Sequence, residues 1–258
     1  VGDGFRLFAK HPLPFSLMFV VFMAAAVLSS AVPLVGGFVL LCAVPALGLG
    51  FMVASESALK GGPIHPGQYI VPFRTDARRR RDQITLCLSF GLATLLIMAI
   101  ADFFDGGSFA RLQNLMAEEA PQPEIDAVMM DPQFQTGVLV RFGLAALLSL
   151  PFWHAPALVH WGQQSAAQAL FSSTLAIWRN KGAFAAYFLA WLGVIVLFGV
   201  FVTLVFGLLG ARQMVAAAAI PAALIFSTVF YTSLIFSFND SFRGSQPAVP
   251  QEGPAGEA

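Results

Sequence analysis

The chain has 258 residues, 57% of them apolar and 11% charged, and its 14 basic and 14 acidic side chains cancel to zero net charge. Soluble domains carry about 25% charged residues, so a water-soluble globule is excluded. With 26 Phe the apolar surface exceeds what one aqueous core can hide, and it has to face lipid.

A bilayer core of about 30 Å takes about 20 apolar residues of helix, and such windows occur six times, at 13–32, 34–58, 84–101, 137–160, 183–209 and 214–238. The expected fold is therefore all-α, a polytopic membrane helix bundle with six transmembrane helices over residues 1–243. Pro33 with Gly36 and Gly37 forces a tight turn between the first two windows, and the Leu209-Gly210-Ala211-Arg212 string does the same between the last two. The middle pair is joined by residues 102–136, an acidic, proline-bearing loop too polar to cross. Residues 244–258, rich in Pro and Gly, predict an unstructured tail. Cys42 and Cys87 both fall inside apolar windows, where a free Cys serves as a small hydrophobe.

Positive charge is retained on the cytoplasmic side during insertion. With both termini inside, eleven of the fourteen basic residues lie there, leaving Arg111, Arg141 and Arg212 outside, while the acids divide seven and seven. The inverted topology would put the run Arg78, Arg79, Arg80 and Arg81 outside. The expected location is the bacterial inner membrane, multi-pass, with the loop at 102–136 periplasmic. A basic and aromatic segment precedes each odd-numbered span: residues 7–11, 72–81 and 177–181. Such segments predict short cytoplasmic interfacial helices in a threefold unit of interfacial segment, span and span.

Chemistry-bearing residues are few. Pro151 and Pro156 each remove a backbone donor from the fourth span and predict a break there, with His154 beside it. His160, Gln164 and Gln168, at i, i+4 and i+8, would form one polar stripe if the helix continued. Glu56, between Ser55 and Ser57, and Asp240, after Asn239, end their spans on the same side as His160. Glu56, His154, His160, Gln164 and Asp240 are accordingly the candidate polar vestibule. Asp102 and Arg141 end span three and begin span four, which predicts a structural ion pair. Arg78, Arg79, Arg80 and Arg81, with Arg179 and Lys181, are the candidate contacts to anionic headgroups. The arginine run sits on a short loop beside spans, so lipid rather than nucleic acid is its expected partner. No Cys-x-x-Cys and no Glu-x-x-His pattern occurs, and only His154 lies well inside a span; neither a metal nor a haem is expected, and no cofactor is called for. No nucleophile and base pair can be placed, so an enzyme is not expected.

The string Pro151-Phe152-Trp153-His154-Ala155-Pro156-Ala157-Leu158-Val159, with Gln168-Ala169-Leu170-Phe171-Ser172-Ser173 after it and Asp76-Ala77-Arg78-Arg79-Arg80 before it, resembles an uncharacterised family of multi-pass inner-membrane proteins of proteobacteria, chiefly betaproteobacteria. The resemblance spans most of the chain and implies an inner-membrane location and six spans, without an activity. Two functions are weighed. The first is a non-enzymatic accessory, assembly or lipid-interacting scaffold component, with membrane lipids and a membrane-protein partner. The alternative is a small-molecule or lipid transporter using the broken fourth helix.

Overall fold

A computed structural model describes residues 1–33, 35–211 and 214–242, residue 216 by its backbone alone. The expected tail and the side assigned to Arg212 and Arg243 concern positions outside the described residues. Among the described residues every regular element is helical.

Helix α1 (Gly2–Lys10) leads through His11 into α2 (Pro12–Ser30). Pro12 opens α2 at the first helical position, where a missing N–H costs nothing. α3 (Val35–Leu59) returns beside α2, and Gly36 sits so close to the Ser29 carbonyl that a Cβ would collide with it. α1 is amphipathic: Gly4 and Leu7 are buried, while Asp3, Arg6 and Lys10 are exposed. A Cβ on Gly4 would strike the Ser233 side chain, so the missing Cβ is what lets α1 lie against the last helix.

After α3 the interfacial helix expected over residues 72–81 does not form. Pro63, Pro66 and Pro72 crowd this segment and allow only two short 3-10 turns, Pro66–Tyr69 and Val71–Phe73. The arginine run instead builds the first turns of α4 (Ala77–Asp105). At 29 residues and about 1.5 Å each, α4 exceeds the bilayer core, so arginines leave it at one end and Asp102 and Asp105 at the other.

The acidic connection is not a plain loop. It ends α4 and then forms α5 (Ser108–Ala117) and α6 (Gln122–Met129) before α7 (Pro132–Phe152) re-enters. The fourth span is completed by α8 (Ala155–His160), offset from α7 at Trp153 and His154. α9 (Ala166–Arg179) buries Ala166, Ala169, Ser173 and Ala176 on one face and exposes Phe171, Leu175 and Trp178 on the other. α10 (Lys181–Leu208) and α11 (Met214–Phe242) finish the bundle.

The six spans are α2, α3, α4, α7 with α8, α10 and most of α11. Between helices in lipid, close packing and polar contacts supply the cohesion. One core cluster joins α3, α4, α8, α9 and α11 through Leu49, Leu86, Val159, Ala169 and Ile235. A second joins α1, α2 and α3 around Phe15 and Phe51. α10 is peripheral, with Leu189, Leu192, Ile195, Leu197 and Phe201 exposed where lipid would lie. The polar groove lined by Asp3, Asp240 and Ser241 puts the start of α1 beside the end of α11; both described ends thus share one face, the termini face.

Candidate functional site

The break in the fourth span is stitched from outside. His154 N–H would ordinarily pair with the Leu150 carbonyl, one helical turn back. Instead it donates to the Ser173 hydroxyl of α9 at 3.0 Å, and that hydroxyl donates to the Leu150 carbonyl at 3.1 Å. A side chain from a neighbouring helix is thereby inserted into the backbone ladder. Gln83 of α4, 2% exposed, donates to the Pro156 carbonyl at 2.7 Å. The His154 ring is fully buried and edge-on to Phe184, Phe238 and Phe242, at centroid distances of 5.9, 5.8 and 5.5 Å. Neither ring nitrogen has a hydrogen-bond partner among the described residues.

At the termini face, Asp76 caps α4 by accepting the Arg79 N–H at 3.0 Å and pairs with the Arg79 guanidinium. The backbone N–H first, and then the guanidinium, hold the Asp76 carboxyl below its ordinary value. Arg79 also donates to the His160 carbonyl at 3.5 Å. Glu56 pairs with Lys60 at 3.0 Å and lies within electrostatic reach of His160. Glu56, Arg79 and His160 therefore form one polar group where α3, α4 and α8 end or begin. Asp82, 8% exposed, accepts the Ala166 N–H at 3.3 Å and so anchors the start of α9.

The remaining candidates lie elsewhere. The stripe of His160, Gln164 and Gln168 does not form, because α8 ends at His160 and Gln163 turns the chain with a φ of 54°. Gln164 sits in that turn with its side-chain oxygen buried, and Gln168 starts again on α9 under the Ser165 cap. Asp240 lines the separate groove between α1, α10 and α11 with Asp3, Asn180 and Tyr187. The five vestibule candidates thus occupy an aromatic box, a polar cluster with the turn behind it, and a groove.

At the opposite face Arg141 pairs with Asp102 and, at 3.3 Å, with Asp105, while its guanidinium stands 3.8 Å over the Phe109 ring. Arg78, Arg80 and Arg81 project from α4 exposed, as do Arg179 and Lys181 around the α9–α10 junction. Sequence reasoning missed Gln83, Asp82, Asp105 and Ser173. Only their presence in or beside apolar windows could have signalled them, since Gln83, Asp82 and Ser173 meet backbone groups distant in sequence and Asp105 meets Arg141 of another helix.

No protein-family model matches the chain, and no solved structure matches it. Over 256 residues, 96% of the chain, it is 28% identical to a probable inner membrane protein of Burkholderia thailandensis, of which the match covers 92%. Six long apolar helices and this near full-length likeness to a betaproteobacterial protein make the chain a multi-pass inner-membrane protein.

Proposed function

We propose that the protein is a non-enzymatic accessory or scaffold component of the inner membrane that holds anionic lipid headgroups along a basic edge on its cytoplasmic side. The observation that carries this reading is the position of the arginines. Arg78, Arg80 and Arg81 stand exposed in the first turns of α4, where the positive end of the helix dipole disfavours each cation by about 0.3–1 kcal/mol. Asp76 and Asp82 engage Arg79 and the start of α9 and leave this outer row to an external anion. At an anionic bilayer surface each cation gains about 1 kcal/mol, which offsets the cost. The excess of basic residues on the termini face supports a cytoplasmic side for that face, since positive charge is retained there during insertion.

The test is native mass spectrometry of the protein released from nanodiscs containing zwitterionic and anionic phospholipid. The parent retains anionic lipid in excess of its share. The triple variant Arg78→Gln, Arg80→Gln, Arg81→Gln loses most of it with an unchanged unfolding midpoint; equal retention by the two proteins overturns the reading. One observation favours transport instead, the helix break beside an intramembrane cavity. Under that second reading His154→Ala and Glu56→Gln abolish movement of a solute or lipid across proteoliposomes, whereas the arginine variant leaves it intact.

A further inference from the structure

Two of the prolines within the spans meet at one place. Pro45 and Gly48 of α3 face Pro156 of α8 across a cavity of about 230 Å³, near mid-depth of the spans. Its walls are aromatic: Phe90, Phe152, Trp153, Phe230 and Tyr231 all line it. These rings are held by their neighbours, with Phe90 edge-on to Phe152 at 5.1 Å and Trp153 edge-on to Phe230 at 5.7 Å. The Tyr231 ring is fixed from behind, stacked on Phe51 at 5.4 Å. Tyr231 is half-buried at the cavity wall and its hydroxyl makes no hydrogen bond among the described residues; the neighbouring Tyr69 hydroxyl donates to the Met18 carbonyl at 2.9 Å instead. An unpaired hydroxyl in a low-dielectric interior is costly, so an occupant that supplies an acceptor gains more than plain hydrocarbon does.

Size and lining narrow the occupant. A cavity of about 150 Å³ lined by apolar side chains holds benzene, and this larger one has room for a substituted six-membered ring. Aromatic walls favour a flat ring through stacked and edge contacts. We propose that this cavity binds the ring of a lipid-soluble carbonyl compound of the quinone class, one carbonyl oxygen accepting from the Tyr231 hydroxyl. The site is distinct from the arginine edge, so either assignment can fail while the other stands.

The test titrates a decyl-substituted benzoquinone into the full chain in zwitterionic nanodiscs and follows quenching of tryptophan fluorescence, with decylbenzene as a competitor that lacks the carbonyls. Quenching saturates at one quinone per chain, and decylbenzene competes about fivefold less well. Tyr231→Phe weakens the quinone about fivefold and leaves decylbenzene unchanged. Gly48→Leu fills the cavity and abolishes both; a Cβ at Gly48 meets only the Leu234 Cδ1, at 3.6 Å, so the backbone accepts it. Ser149→Leu, from another wall, is the second filling variant should the first not fold. Quenching that never saturates and matches plain bilayer partition overturns the assignment. So does decylbenzene competing as well as the quinone, or a folded filling variant that binds like the parent.

Discussion

Asp105 is 1% exposed; one carboxylate oxygen accepts the Gly107 N–H at 2.7 Å and the other meets Arg141 at 3.3 Å. Arg141 is itself 14% exposed at its side chain, whereas Asp102, its other partner, is 60% exposed. Removing one member of a buried pair strands the other charge, so Arg141→Ala destabilises by about 3 kcal/mol while Asp102→Ala costs under about 1 kcal/mol. Denaturant unfolding in detergent checks the difference. Gln83→Leu leaves the Pro156 carbonyl, in the α8 part of the fourth span, without its donor, at a cost of about 1–2 kcal/mol by the same assay. Asp102 and Arg141 were legible in the sequence as charges at adjoining span ends. Asp105 was not, because its burial depends on Gly137 packing against it, which no local pattern encodes.

Among the elements, α4 carries a cap whose charge is also paired, Asp76 accepting the Arg79 N–H and meeting its guanidinium. Asp76 titrates below its ordinary value of 3.8 in the folded chain, so its contribution is complete above that value and is lost as pH falls through the lower, folded one. Hydrogen exchange at the Arg79 amide reports it. Protection stays level at neutral pH and drops below pH 3.8, relative to amides deeper in α4. Asp76→Asn keeps the cap and removes this pH dependence, because Asn caps about as well as Asp. The fourth span shows how far element reading reaches. Two prolines in one apolar window announce a break, and the break is there. What closes it comes from Ser173 and Gln83, on other helices. The polar stripe over His160, Gln164 and Gln168 failed for a related reason: it assumed a helix that ends at His160. Helix α6 was hidden because prolines and acids read as loop also suit a short helix, with Pro123 in an opening position.

For the whole molecule, the six-span count was legible because length and hydropathy suffice for it. The central cavity was not, since it needs the relative placement of four spans. α10, held at its first turns by Trp153 packing on Phe184, Tyr187 and Phe188 and farther along by Trp191 on Phe230 and Phe198 on Phe226, exposes its other apolar face where lipid would lie. Six spans among the described residues, with Val1 and Ser241 lining one groove, put the described ends on the same face. That leaves the side of the bilayer to charge, and the arginine edge is the feature on which the functional reading depends. The most direct measurement labels Arg80→Cys with a membrane-impermeant maleimide, using a Cys42→Ala, Cys87→Ala background, in intact spheroplasts and in inverted membrane vesicles. Labelling confined to the inverted vesicles is the predicted result, with Arg80 at the cytoplasmic headgroups. Labelling in intact spheroplasts would place the arginine edge in the periplasm and contradict the account.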